Sequence, residues 1–271
     1  MKPIKWGQHF LINKNAAEKI IRHFLPVTGS ILEVGPGKGI LTNLLVKYCK
    51  NKTNRIKAVE LDRGLVSKLR SMYNKDVDVV NGNILKINLP TLFPDEKKVN
   101  LISNVPYYIS SDFIDWVISQ AGHIKKAVVM MQREFVDKLA ARPFSRETNA
   151  QSIVFNFLFR LEKAFDVSPG SFSPQPKVKS TVFLFEPISK DKDMAPESRI
   201  NIKDFYRFLQ SCFRNRRKTL FNNLERSHHR EHIWEVFKAH GINPKIRAEQ
   251  LTKEDFFNIY QRLCPGISSR F

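Results

Sequence analysis

The chain has 271 residues, of which 45 are Lys or Arg and 26 are Asp or Glu, so its formal net charge is +19. This surplus indicates a polyanionic partner, and the length allows a sizeable core in one large or two modest domains. The chain has no stretch that approaches ~18 consecutive apolar residues, no signal-peptide core and only three scattered cysteines, a pattern that excludes a membrane span and a zinc site and predicts a cytoplasmic protein.

Helices and strands are predicted to alternate as far as residue 135. A helix over 16–25 comes first, and another helix begins near Ser111. The predicted strands are 31–34, 56–59, 77–80, 99–103, 127–131 and 181–185. Alternation of this kind predicts βαβ units on a parallel sheet. Residues 142–150 are polar and contain a proline, which predicts a mobile loop.

A glycine-rich turn follows the first strand. Gly35 and Gly37 belong to a G-x-G-x-G run, which matches neither the dinucleotide fingerprint nor a P-loop. Glu60 ends the next strand, about 20 residues past the glycines, where an acid can bind ribose hydroxyls. Glu33, inside the first strand, is interpreted either as a direct ligand or as an acid that caps a helix or supports the site indirectly, because an acid in an apolar strand needs some partner. An acid, glycines and a second acid in this order fit S-adenosylmethionine better than NAD.

Asn104, Pro106 and Tyr107 follow the predicted strand at 99–103. The Asn oxygen and a neighbouring carbonyl can accept hydrogen bonds from an exocyclic amine, and the Tyr ring can stack on the base. Adenine N6 suits such a site, because its lone pair is delocalised until two acceptors polarise the amine. The same residue types also explain an ordinary turn, and the upstream glycines and acids favour the binding site.

A polar connector over 188–201 predicts a domain boundary, with domains at 1–188 and 189–271. Beyond the connector the apolar period becomes helical. The chain from Arg199 onward contains 15 basic and 7 acidic residues. Four basic residues are predicted to lie on one helix, free to meet phosphates because its other face is apolar: Arg214, Arg216, Arg217 and Lys218.

In this order the motifs resemble the small-subunit ribosomal RNA adenine N6-dimethyltransferase family. The resemblance covers nearly the whole chain, in segments 7–11, 33–37, 60–62, 104–107, 172–178, 215–220 and 247–251. It implies an α/β fold, with a Rossmann-like S-adenosylmethionine-dependent methyltransferase domain followed by a small all-helical RNA-binding domain. It also implies direct transfer of the sulfonium methyl group to N6 of adjacent adenosines late in subunit assembly. No metal is implied.

The resemblance also assigns roles to residues. His9 and Leu11 would contact the cofactor, and Phe172 would stack on the target base opposite Tyr107, unless it is a buried side chain under a loop. Asn83 and Tyr108 stand where the family usually has Asp and Asn. The implied cofactor-binding set is His9, Leu11, Glu33, Gly35, Gly37, Glu60, Asn83 and Asn104, and the implied catalytic set is Asn104, Pro106, Tyr107 and Phe172.

The expected partner is small-subunit ribosomal RNA or the pre-assembled small subunit, and the expected protein is a monomer. Two alternatives remain at the level of sequence. A large-subunit ribosomal RNA adenine methyltransferase of the antibiotic-resistance type shares the catalytic half. A non-catalytic nucleic-acid-binding relative could keep the fold, although Gly35, Gly37, Glu60, Asn104 and Tyr107 argue against it.

Overall fold

The computed structural model describes residues 8–49, 55–188 and 200–264. Gly7 of the first motif and most of the predicted connector, 189–199, lie outside the described residues. The chain forms two compact units. The first contains residues up to Val136 together with Phe159–Pro187, and the second contains Asp137–Leu158 together with residues from Ile188 onward.

The described strands are β1 (Phe10–Leu11), β2 (Ile31–Val34), β3 (Ile56–Glu60), β4 (Asp78–Asn81), β5 (Val99–Asn104), β6 (Ile124–Gln132), β7 (Phe159–Val167), β8 (Phe172–Ser173) and β9 (Ser180–Pro187). The described helices are α1 (Lys14–Phe24), α2 (Ile40–Cys49), α3 (Arg63–Tyr73), α4 (Leu89–Leu92), α5 (Ser110–Ser119), α6 (Arg133–Leu139), α7 (Ala150–Leu158), α8 (Ile202–Cys212), α9 (Leu220–Leu224), α10 (Arg230–Ala239) and α11 (Lys253–Leu263).

The first unit is built on a seven-stranded sheet in the order β4-β3-β2-β5-β6-β9-β7. The strands from β4 to β6 are parallel, whereas β9 pairs antiparallel with both β6 and β7. All four residues of β2 and five of the six in β5 are buried, as expected for parallel strands covered on both faces. This arrangement confirms the predicted α/β class and the six predicted strands.

A separate two-stranded sheet joins β1 to β8, far apart in the chain. Phe10 pairs with Ser173 and Leu11 with Phe172. The backbone amide of Ile12 also donates to the carbonyl of Ser171 at 2.8 Å. The 172–178 motif therefore fixes the position of the amino-terminal motif.

The second unit is helical throughout its described part. Helix α7 belongs to it because the ring of Phe157 packs 5.0 Å from Phe205 and 5.9 Å from Phe257, measured between ring centroids. The predicted boundary placed residues 137–158 in the first domain, and the structure groups them with the second. Sequence order does not reveal this exchange, because α7 is followed by two more strands of the sheet.

Local signals in the sequence set several helix ends. Asp62 accepts hydrogen bonds from the amides of Gly64 and Leu65 and so caps α3. Thr252 and Asp255 form a capping box at the start of α11. Within the described ranges, no helix is both long enough and apolar enough to cross a membrane.

Candidate functional site

The site lies where the order of the strands reverses. The chain passes from β2 outward through β3 to β4 and then returns to β5, on the other side of β2. Val34 at the end of β2 pairs with Ser103 of β5, and the Ser103 hydroxyl donates to the Val34 carbonyl at 2.8 Å. The segments leaving β2 and β5 diverge from this point, which is where open α/β sheets bind ligands.

A cavity of about 340 Å³ occupies this crevice. It is formed by the amino-terminal segment, the glycine-rich turn and the ends of β3, β4 and β5. Ten of the eleven residues predicted for cofactor and base line it: His9, Leu11, Glu33, Gly35, Gly37, Glu60, Asn83, Asn104, Pro106 and Tyr107.

The glycine-rich turn is shaped by Phe10. Gly37 has φ of +59°, and a Cβ atom there would lie only 3.0 Å from Cδ1 of Phe10. A side chain would therefore meet both an unfavourable backbone conformation and a steric clash. The Lys38 ammonium lies 4.8 Å from the centre of the same ring. Gly37 thus allows β1 to lie against the turn and close one side of the cavity.

Glu60 holds the turn and the start of α3 together. Its Oε2 accepts from the amide of Gly37 at 3.1 Å, and its Oε1 accepts from the amides of Leu61 and Asp62 at 2.8 and 2.9 Å. The residue is only 4% exposed. Glu60 therefore has a structural task at the cavity wall in addition to the proposed ribose contact.

Glu33 is a buried acid without a hydrogen-bond partner. It is 1% exposed, and neither carboxyl oxygen meets hydrogen-bond geometry with any described residue. Burial raises the pKa of Glu33 to about 7; the nearby Thr42 hydroxyl offsets part of this rise, and the charge of Glu60 adds to it. Because a buried carboxyl without a partner is costly, its position in the cavity wall indicates that a ligand completes its hydrogen bonding.

Asn104 ends β5 with its side chain already oriented. Its amide nitrogen donates to the carbonyl of His9 at 3.3 Å. Only the NH₂ end of the amide can donate to a carbonyl, so Oδ1 is the atom left to accept from a ligand. The predicted acceptor is therefore present at the cavity wall.

Tyr107, three residues after Asn104, also lines the cavity. Its hydroxyl is 2.7 Å from Oγ of Ser180, and its ring centre is 5.3 Å from that of His9. Nδ1 of His9 is 2.7 Å from the carbonyl oxygen of Pro174. Burial raises the pKa of Tyr107. The hydroxyl contact with Ser180 and the ring contact with His9 hold the Tyr107 side chain in place. A fixed ring suits a stacking surface better than a mobile general acid or base.

Asn83 lines the cavity and also caps the turn Ile84–Lys86. Its Oδ1 accepts from the amide of Leu85 at 3.0 Å. One lone pair of the Asn83 oxygen is therefore already used by the cap, which leaves the second lone pair and the amide nitrogen for a ligand. An Asp at this position could keep the cap with one oxygen and still offer the other to a ligand.

Phe172 does not line the cavity. It is 3% exposed, pairs with Leu11 in the β1–β8 sheet and belongs to the hydrophobic core of the first unit. The expected stacking on the target base is therefore not what this structure presents, and the alternative of a buried side chain under a loop fits the burial. The motif contributes through the backbone carbonyls of Ser171 and Pro174 instead.

Other cavity residues were not predicted from sequence. Leu61 and Ile84 immediately follow the predicted residues at the ends of β3 and β4, so adjacency was an available signal. Tyr108 is half exposed at the rim; partial burial raises its pKa, and the negative charge of Glu60 adds to the rise. Phe10 had no such signal, because its contact with Gly37 depends on the β1–β8 pairing.

The four basic residues predicted on one helix lie in a loop instead, between α8 and α9. Asn223, 2% exposed, holds this loop: its amide nitrogen donates to the carbonyls of Cys212 and Asn215. Arg216 donates to the carbonyl of Thr148 at 2.6 Å, so part of its role is structural. The remaining three side chains are exposed: Arg214, Arg217 and Lys218. Among the described residues, no cluster of His, Cys, Asp and Glu could hold a metal ion.

Comparison with known proteins gives one consistent result. The model of the ribosomal RNA adenine dimethylase family matches residues 2–264. A relative named ribosomal RNA small subunit methyltransferase A from Malacoplasma penetrans is 35% identical over 261 residues, covering 96% of this chain and 90% of the relative. The relative of the same name from Mycoplasmopsis pulmonis is 34% identical, covering 96% of this chain and 98% of its own length.

Solved structures agree at the level of the fold. A dimethyladenosine transferase from Plasmodium falciparum superposes with a TM-score of 0.76 at 23% identity, covering 93% of this chain and 96% of that one. The 23S rRNA methyltransferase ErmE superposes with a TM-score of 0.66 at 21% identity, covering 94% and 99%. At these identities the superpositions establish the fold alone.

The raised pKa of Glu33 makes stability depend on pH. An acid with a pKa of 4.5 unfolded and about 7 folded contributes stability below pH 4.5 that is lost as the pH rises through 7. A Gln side chain at this position does not ionise, so Glu33→Gln does not lose this stability as the pH rises. Between pH 5 and pH 8 the variant should gain about 2 kcal/mol relative to the parent, measured by urea unfolding. The exposed Glu134 provides the matched control, Glu134→Gln. An equal pH profile for parent and Glu33→Gln would contradict the assignment.

Proposed function

The chain belongs to the ribosomal RNA adenine dimethylase family and is an S-adenosylmethionine-dependent enzyme, and we propose that it dimethylates N6 of adjacent adenosines in small-subunit ribosomal RNA. The proposal includes action late in subunit assembly by a cytoplasmic monomer. One observation carries it: Asn104, at the end of β5, donates its amide nitrogen to the His9 carbonyl and so leaves its oxygen to accept, in a cavity that Tyr107 also lines.

The cavity fits the methyl donor. S-adenosylmethionine, when bound, supplies an electrophilic methyl group on a sulfonium. The glycine turn at Gly35 and Gly37 lets the backbone approach the ligand closely. The unpartnered Glu33 carboxyl would find donors in the amino and hydroxyl groups of such a molecule. Glu60 and Asn83, at the ends of β3 and β4, would bind the nucleoside end.

Asn104 and Tyr107 would form the base end of the cavity. The Asn104 oxygen would accept a hydrogen bond from N6 and so make its lone pair available. Tyr107, held by Ser180, would stack on the adenine ring and fix the direction of N6. Catalysis by these residues consists of positioning and polarisation. The target base must leave its stack to reach them.

The choice of substrate rests on the relatives rather than on the fold. The relatives at about 34% identity are named as methyltransferases of the small ribosomal subunit. The similarity to a 23S methyltransferase at 21% identity shows that a closely similar fold serves another RNA. We therefore favour the small subunit and keep the large subunit as the alternative that a mapping experiment would reveal.

The first test combines the parent enzyme with one variant. Labelled S-adenosylmethionine is incubated with small subunits from an unmethylated strain, and the label is mapped. The parent should label adjacent adenosines of the small-subunit RNA. Asn104→Ala should lose on the order of 10²–10³ in rate, because one preorganised acceptor is removed, while cofactor affinity stays close to that of the parent. Near-normal turnover by Asn104→Ala would contradict its role, and label in large-subunit RNA would overturn the substrate.

A second prediction concerns the cofactor end. Asn83→Asp should tighten S-adenosylmethionine binding by roughly 1 kcal/mol or less, since a charged acceptor strengthens a hydrogen bond. The cap on the Ile84–Lys86 turn survives, because an Asp oxygen can still accept from Leu85. Calorimetry on parent, Asn83→Asp and Asn83→Ala compares the three states. Unchanged affinity in both variants would mean that residue 83 does not contact the cofactor.

A third prediction separates RNA contact from loop structure in the second unit. Replacing Arg214, Arg217 and Lys218 by Ala should weaken ribosomal RNA binding and flatten the slope of log K against log salt by somewhat under one unit per lost phosphate contact. Thermal stability and cofactor affinity should stay as in the parent. Arg216→Ala, by contrast, should lower the melting temperature, because it frees the Thr148 carbonyl. An unaltered salt slope in the folded triple variant would remove this loop from the RNA-binding surface.

A further inference from the structure

Phe144 is the most exposed of the large apolar side chains in the described residues. It is 72% exposed, against 63% for Met72 and 48% for Trp234. A single exposed apolar residue needs no explanation. The backbone of Phe144, however, shows that its position is imposed by the surrounding loop.

The backbone of Phe144 lies in the left-handed region, with φ of +68°. Glycine adopts this region readily and Asn tolerates it, whereas a bulky side chain there is a genuine outlier. Such a conformation persists only where neighbouring structure over-determines it, and outliers of this kind cluster at functional sites. Neighbouring contacts must therefore hold Phe144 in this conformation, and its exposed ring is a candidate functional group.

The anchor is a set of hydrogen bonds within the second unit. The amide of Phe144 donates to the carbonyl of Glu249 at 2.8 Å. The carbonyl of Arg142 accepts from the hydroxyl of Thr148 at 2.8 Å, and the carbonyl of Thr148 accepts from Arg216 at 2.6 Å. The loop over 142–149, predicted to be mobile, is thus fastened at both ends.

The anchors come from the two carboxyl-terminal segments that carry the family resemblance. Glu249 belongs to 247–251, and Arg216 belongs to 215–220. Both segments converge on this loop, and the result is an aromatic ring held out in solvent. The arrangement does not serve to bury the ring, because Phe144 is 72% exposed.

The charge beside the ring indicates the kind of partner. Arg142 and Arg146 are both exposed and lie two residues to either side of Phe144, with Glu147 as the one acid of the loop. An exposed aromatic ring with an exposed arginine two residues before it and another two residues after it suits a nucleic acid, because an unpaired base can stack on the ring while neighbouring phosphates meet the cations.

We propose that Phe144 stacks on an unpaired base of the ribosomal RNA substrate and that Arg142 and Arg146 bind the phosphates beside that base. The inference rests on the proposed function and adds a contact in the second unit. The strained backbone holds the ring ready, so that binding does not have to order it. The strained backbone at Phe144 lowers the stability of the free protein, and the pre-oriented ring raises the affinity for the RNA.

The test replaces the ring without disturbing the loop. Phe144→Asn keeps a residue that tolerates positive φ, and Phe144→Tyr keeps a stacking ring. Tyr48→Gln is the matched control, because Tyr48 is also an exposed aromatic beside a lysine but lies in a regular helix. For each variant, affinity for protein-free small-subunit ribosomal RNA, melting temperature and S-adenosylmethionine affinity are measured.

Phe144→Asn should weaken RNA affinity by about 5-fold or more, the lower end for losing one base–aromatic stack. Its melting temperature should equal or exceed that of the parent, because the strain is relieved, and cofactor affinity should not change. Phe144→Tyr and Tyr48→Gln should bind RNA as the parent does. This combination of weaker binding with undiminished stability is not expected of a residue with a structural role.

Three results would overturn the proposal. The first is unchanged RNA affinity in Phe144→Asn, the second is an equal loss in Tyr48→Gln, and the third is a loss of melting temperature in Phe144→Asn. If the first result is accompanied by weaker binding of Phe144→Asn to assembled small subunits, measured in the same way, the ring contacts a ribosomal protein instead. If the parent enzyme methylates its RNA and Phe144→Asn binds that RNA normally, only the Phe144 contact is rejected. If the parent neither binds nor methylates the RNA, the proposed function is rejected as well.

Discussion

The pairing of β2 with β5 is the constraint on which the site depends. These strands are neighbours in the sheet although β3, β4 and three helices lie between them in the chain. Their register sets Val34 beside Ser103, so the glycine turn and Asn104 leave the sheet at the same level. Parallel strands place their carboxyl ends at one edge, and the reversal of order opens a crevice there. The cofactor end and the base end of the cavity are thereby fixed relative to each other.

Some polar side chains at the cavity are buried without a hydrogen-bond partner among the described residues. Glu33 is buried without a partner, and the Thr42 hydroxyl near it is likewise unsatisfied by any described residue. Glu60, in contrast, accepts hydrogen bonds from three backbone amides and keeps acceptor capacity for a ligand. Glu60 therefore stabilises the glycine-rich turn, whereas the Glu33 carboxyl is available to hydrogen-bond a ligand. Two carboxylates of the same type thus have different tasks, decided by the donors that the backbone offers each of them.

The carboxyl-terminal motifs have a physical meaning beyond their charge. Arg216 and the carbonyl of Glu249 fasten the 142–149 loop, and Asn223 fastens the basic loop that contains Arg217. Basic and aromatic groups are therefore presented from backbone that is already ordered. Pre-ordering matters for binding a large polyanion, because side chains and loops that are immobilised only on binding reduce the affinity.

The sequence by itself determined six of the seven strands of the main sheet, the order of the motifs and the cavity position of ten of the eleven residues expected for cofactor and base, because those residues end strands or sit in turns with strong local rules. Tertiary structure decided the rest. Phe172 is core rather than pocket wall because it pairs with Leu11 across about 160 residues of chain. Helix α7 joins the second unit because its aromatic side chain packs on residues some 50 and 100 positions later. Arg216 anchors a loop because Thr148 presents a carbonyl to it. Local patterns report which groups can act, whereas long-range pairing decides which of them meet.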